Sequence, residues 1–139
     1  YSIGTSFDCY SDSGIFLSYA GTSGEKIKEL SEVIACEFKN CIDSITEIEV
    51  ERAKTQLRSS LLMGLENSSS RSERLARGLL IWGKIVEVQD TIAKIDSVKL
   101  QDVKNFGAEM FHNSNPAMAL YGKVKDALDI KQFSQKLLN

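Results

Sequence analysis

The chain contains 139 residues, of which 42% are hydrophobic and 26% charged, and its formal net charge is -2. This length and composition are typical of one globular domain, and no run of about 18 apolar residues offers a membrane-spanning helix. Lysine and arginine residues are scattered along the chain, so the sequence lacks the concentrated positive charge of a nucleic-acid-binding protein. We therefore expect a single domain over residues 1–139, with neither a membrane span nor a nucleic-acid partner.

Two β-rich segments at the start of the chain predict an antiparallel hairpin. Tyr1 to Phe7 and Ile15 to Thr22 flank the turn-forming sequence DCYSDSG. Alternation along the second strand puts Ile15, Leu17 and Tyr19 on one face. We expect this large apolar face to pack against the helices.

The hairpin would leave a strand edge with unpaired N–H and C=O groups. The sequence also opens at Tyr1, inside a predicted strand. We therefore expect either further strands before Tyr1 in a longer protein or another chain that covers this edge.

Apolar residues spaced three and four positions apart predict helices along most of the remaining chain. These predicted helices are Glu25 to Ile42, Thr46 to Leu65, Ser70 to Trp82, Glu87 to Ile95, Leu100 to Phe111 and Asp129 to Leu138. A short segment, Ala117 to Gly122, has the composition of a third strand. The fold class is therefore α+β, with a small antiparallel sheet packed against several helices.

Three helix ends carry their own sequence signals. Thr46 with Glu49 and Ser70 with Glu73 have the spacing of a capping box, in which the two side chains satisfy backbone N–H groups at a helix start. Gly83 is placed to end the second of these helices in a left-handed conformation.

No residue type recurs in a pattern that predicts catalysis or metal binding. His112 is the only histidine, whereas a hydrolytic zinc site normally needs three protein ligands. Nothing in the sequence would activate a serine or cysteine nucleophile, and the glycines form no nucleotide-binding loop. We assign no catalytic residue and no metal ligand.

The three cysteines indicate a compartment rather than a site. Cys9, Cys36 and Cys41 are an odd number without CxxC spacing. We expect buried, reduced thiols, which favour a reducing compartment such as the cytoplasm or the mitochondrial matrix.

Tyr1 and the strand edge beside it are the remaining candidate for binding. An edge can bind an extended peptide as an added strand, and a phenol can donate a hydrogen bond to a peptide carbonyl. A tyrosine that simply packs against its neighbours is the commoner arrangement.

Four segments together resemble the second half of a pitrilysin- or insulinase-type zinc peptidase. They are YSIGTSF, DSGIFLSYAGT, EIEVERAKTQLRSSLLMGLENSSSRSERLAR and IAKIDSVKLQDVKNFGAEMF. They are similar in particular to mitochondrial processing peptidase β-like proteins and their bacterial relatives. In that family two homologous α+β halves enclose a chamber, and the N-terminal half holds zinc in an inverted HxxEH motif, which this sequence lacks.

The resemblance implies that this chain is part of the non-catalytic C-terminal half, a truncated α/β roll, of a zinc metalloendopeptidase. Zinc would belong to the absent N-terminal half, and this fragment would hold no cofactor and hydrolyse nothing alone. The C-terminal half should supply an arginine and a tyrosine that bind the substrate backbone. The tyrosine position matches Tyr1, whereas the arginine would precede it.

The implied partners are a peptide or presequence substrate and either the N-terminal half of the same chain or a homologous subunit, with a homodimer as a further arrangement. The family also has inactive members, the processing peptidase α subunit and the core subunits of the cytochrome bc1 complex. A scaffold or assembly subunit without peptidase activity is therefore the alternative function. An unrelated α+β interaction module is a third, which would lack the hairpin over residues 1–22 or the helix over 46–66.

Overall fold

The computed structural model describes residues 2–113 and 116–138, with the side chain of Leu138 excepted. The described residues form an antiparallel hairpin followed by helices, which confirms the predicted α+β class. The elements in chain order are β1 (Ser2–Cys9), β2 (Gly14–Gly21), a short 3₁₀ turn (Gly24–Lys26), α1 (Ile27–Ser44), α2 (Glu47–Gly64), α3 (Ser68–Trp82), α4 (Val88–Ser97), α5 (Leu100–Asn113) and α6 (Ile130–Leu138).

The described residues form two compact units. The hairpin unit draws on residues 1–40 and 111–139, and the helical unit consists of residues 41–110. The expectation of one domain over residues 1–139 stays a prediction.

The hairpin packs on α1 through the face of β2 that carries its smaller side chains. β1 and β2 pair so that Phe7 lies opposite Phe16, and the Phe16 ring meets the Phe38 ring of α1 edge-on, with centroids 5.8 Å apart. Ser18 and Ala20, on the same face as Phe16, are half-buried. Their small size leaves room for the helix to approach the sheet.

The opposite face of β2 is exposed, so the prediction that it packs against the helices was wrong. Ile15, Leu17 and Tyr19 keep 55%, 51% and 58% of their surface accessible. Alternation of side chains predicts which residues share a face, but the covered face is decided by how closely the helix can approach.

The core of the hairpin unit is small and lies around α1. Ala35 is fully buried, and Leu128 and Leu137 retain 6% and 8% exposure. The Phe38 ring also contacts Phe111, with centroids 5.5 Å apart. The Phe38–Phe111 contact joins α1 to the C-terminal part of the chain.

In the helical unit, the first turns of α2 contain buried residues, and a polar contact joins α2 to α4. Val50 has 4% of its surface exposed. Lys54 has 9% exposed, and its Nζ atom donates a hydrogen bond to the Glu51 carboxylate at 2.6 Å. Arg58 of α2 forms an ion pair with Asp96 of α4. An exposed arginine–carboxylate pair of this kind orients two helices but adds little stability.

Two of the predicted helix ends are confirmed. Thr46 and Glu49 form a complete capping box, in which the Glu49 carboxylate accepts from the Thr46 N–H at 2.8 Å and the Glu49 N–H donates to the Thr46 hydroxyl at 3.3 Å. Gly83 ends α3 with φ of 66°, a left-handed conformation that glycine adopts without steric cost.

The predicted start of α3 at Ser70 was wrong. Asn67 is the N-cap, and its side-chain oxygen accepts from the N–H groups of Ser69 at 2.9 Å and Ser70 at 3.1 Å. The helix therefore begins at Ser68, because a strong capping side chain is available one turn before the predicted start.

The predicted third strand was also wrong. The sheet formed by the described residues has two strands, β1 and β2, and residues 116–122 belong to neither a strand nor a helix. A β-rich segment becomes a strand only where a neighbouring strand accepts its backbone hydrogen bonds.

Candidate functional site

Tyr1, the one residue with a predicted substrate-binding role, lies outside the described residues. The next residue, Ser2, begins β1 and pairs with Gly21 at the end of β2. In the described part of the sheet each strand has one neighbour, so the outer edge of β1 is not paired with another described strand. An edge of this kind offers backbone groups to an extended peptide. The role of Tyr1 stays a prediction.

On the exposed face of the hairpin, the ring of a tyrosine in β2 lies over a glycine of β1. Tyr19 stands opposite Gly4 in the strand pairing. A Cβ atom added to Gly4 would come within 2.6 Å of the Tyr19 ring, so only glycine allows the ring this position. Together with Ile15 and Leu17, Tyr19 forms an apolar surface beside the small polar residue Ser6.

The described residues do not fit a zinc ion. His112 is exposed in the last turn of α5, and the described part of the chain contains no group of three histidine, cysteine, aspartate or glutamate residues placed to hold a metal. Zinc requires three or four such ligands. No step of a zinc reaction is assigned to these residues.

The three cysteines are free and exposed, so their predicted burial was wrong. Cys36 follows the fully buried Ala35 directly, and consecutive helical residues point about 100° apart. Ala35 therefore faces the core, and the Cys36 thiol points away from it.

The clearest electrostatic perturbations belong to helix starts. The hydrogen bond from the Thr46 hydroxyl, and after it the bond from the Thr46 N–H, lowers the pKa of Glu49 below its ordinary value. The hydrogen bond between Lys26 and Glu29, at 2.8 Å, raises the pKa of Lys26, and their charge attraction adds to it. Both carboxylates are exposed, and neither is placed as an acid or base in a cleft.

Helix α3 presents a largely exposed apolar surface. Leu75, Leu79 and Trp82 keep 41%, 53% and 68% of their surface accessible, and Leu80 keeps 85%. Large exposed apolar surfaces of this kind mark contacts with other protein. The periodicity predicted the stripe of Leu75, Leu79 and Trp82 but not its exposure.

Comparison with known proteins relates the chain to one family of peptidases. Residues 1–57 match the Peptidase M16 inactive domain. The chain is 33% identical over 111 residues to a protein named uncharacterized zinc protease from Rickettsia felis, which covers 80% of this chain and 27% of that protein. The chain is thus similar to M16 peptidases.

Other relatives include a mitochondrial-processing peptidase. The human mitochondrial-processing peptidase subunit beta is 26% identical over 128 residues, which cover 92% of this chain and 26% of that subunit. The chain thus spans about a quarter of the length of these curated relatives. This confirms the resemblance to the second half of a pitrilysin- or insulinase-type peptidase.

A solved structure supports the same fold. A chain of complex III2 from Candida albicans, with Inz-5 bound, superposes with a TM-score of 0.81 at 24% identity, covering 97% of this chain and 33% of that chain. The α+β architecture of this chain is therefore that of the solved chain. None of the helices formed by the described residues has both the length and the apolar character needed to cross a membrane.

Proposed function

We propose that this chain is the non-catalytic C-terminal part of a zinc metalloendopeptidase, and that it helps to enclose and bind a peptide or presequence substrate. The match of residues 1–57 to the M16 inactive domain carries this proposal. The zinc protease names of its bacterial relatives support the reaction class. The exposed apolar residues of β2 and α3 support a role inside a larger protein, because such surfaces are normally covered.

In this proposal zinc belongs to the N-terminal half of the enzyme, outside this chain. The described residues do not fit the ion, so they would contribute walls and backbone contacts rather than ligands. The partners of the chain would be the substrate peptide and the homologous N-terminal half, on the same polypeptide or on a related subunit. A homodimer of the longer protein is a further arrangement.

The proposal is tested by peptide cleavage with the longer protein and with this chain alone. We expect the longer protein to carry an upstream HxxEH motif, to cleave peptides, to lose activity with a chelator and to regain it with zinc. We expect the chain of 139 residues alone to cleave none. Cleavage that survives complete removal of metal from the longer protein would contradict the proposal.

Tyr1 is the residue to which we give a substrate contact. Its hydroxyl would donate a hydrogen bond to the substrate backbone near the bond that is cleaved. In the longer protein, Tyr1→Phe should lower kcat/KM by an amount that corresponds to about 1 to 3 kcal/mol. Tyr10→Phe is the matched control, because Tyr10 lies at the other end of the hairpin and is 59% exposed. Equal activity of the Tyr1→Phe variant and the wild type would remove this role.

A scaffold or assembly subunit without peptidase activity is the second candidate. The superposition on a chain of complex III2 favours it, since that chain belongs to a multi-subunit assembly. An upstream sequence without HxxEH, together with stable copurification of other subunits and no cleavage, would select this function over the peptidase.

We also propose that the protein works in a reducing compartment, the cytoplasm or the mitochondrial matrix. Three exposed free cysteines are compatible with reducing conditions, and several relatives are named mitochondrial. Labelling with a maleimide in intact cells should modify all three thiols. Protection of two of them by a disulfide would contradict this location.

A further inference from the structure

We draw no further inference here: the strongest candidate, the apolar surface patch that Ile15, Leu17 and Tyr19 form on the exposed face of the hairpin, is an unpartnered sheet face, and nothing among the described residues shows what covers it.

Discussion

Helices α2 and α3 follow one another along the chain and both carry an apolar stripe, but they bury different parts of it. In α2, Val50 is almost fully buried and Arg58 reaches Asp96 of α4. In α3 the buried residue is Gly78, which has no side chain to bury. Periodicity therefore predicts that a helix has an apolar side, whereas burial depends on which neighbours reach that side.

The difference in burial predicts a large difference in the cost of removing apolar atoms. Val50→Ala should lower the free energy of unfolding by about 2 kcal/mol, because it leaves a cavity. Leu80→Ala, at a position with 85% exposure, should change it by less than about 0.5 kcal/mol. Urea denaturation of the chain followed by circular dichroism measures both values. An equal cost at the two positions would mean that Leu80 is covered in solution.

The starts of the same two helices use capping residues differently. Both carry a serine or threonine three residues before a glutamate, but only Thr46 and Glu49 form the reciprocal pair. At the start of α3 the Asn67 side-chain oxygen accepts hydrogen bonds from the N–H groups of Ser69 and Ser70, so the helix begins before Ser70. A local capping pattern is therefore used only where no better cap lies just upstream.

Asn67→Ala should lower the free energy of unfolding by about 1 kcal/mol, since two N–H groups at the start of α3 lose their acceptor. Ser70→Ala is the matched control and should cost less than about 0.5 kcal/mol, because its hydroxyl is not the cap. Both are measured by the same urea titration. If Ser70→Ala lowered the free energy of unfolding more than Asn67→Ala did, Ser70 and not Asn67 would be the capping residue of α3.

Features that depend on residues within one helical turn were predictable from the sequence. The capping box of Thr46 and the left-handed Gly83 are of this kind, because their partners lie three or four residues away. Contacts across the fold were not. The pairing of Phe16 with Phe38 decides which hairpin face is covered, and strand alternation is the same for either face.

The candidate sites divide in the same way. Tyr1 was identified from a family resemblance alone, and its role stays a prediction. The contact of Arg74 with Thr91 gave no signal in the sequence, because the two residues lie 17 positions apart. It is recognised only once α3 and α4 are placed side by side.

The capping box also predicts how the stability of α2 depends on pH. Because the Thr46 hydrogen bonds lower the pKa of Glu49, the carboxylate form stabilises the folded state. This contribution is fully present above the unfolded-state pKa, about 4.3. It is lost as the pH falls through the lower folded-state pKa, when the carboxylate takes up a proton.

The urea midpoints of the wild type and Glu49→Gln should therefore differ most at pH 7 and converge as the pH is lowered to about 3. We expect this difference in urea midpoint to be small, because Glu49 is exposed. The substitution also removes one negative charge near the helix N-terminus, so the experiment needs a control for that charge. Glu47→Gln removes a charge from the same turn of α2 but leaves the bonds of Thr46 to Glu49 intact. The difference in urea midpoint between Glu49→Gln and the wild type could stay constant from pH 7 to 3, or Glu47→Gln could show the same difference. Either outcome would mean that the stabilisation comes from the charge of the first turn and not from the capping box.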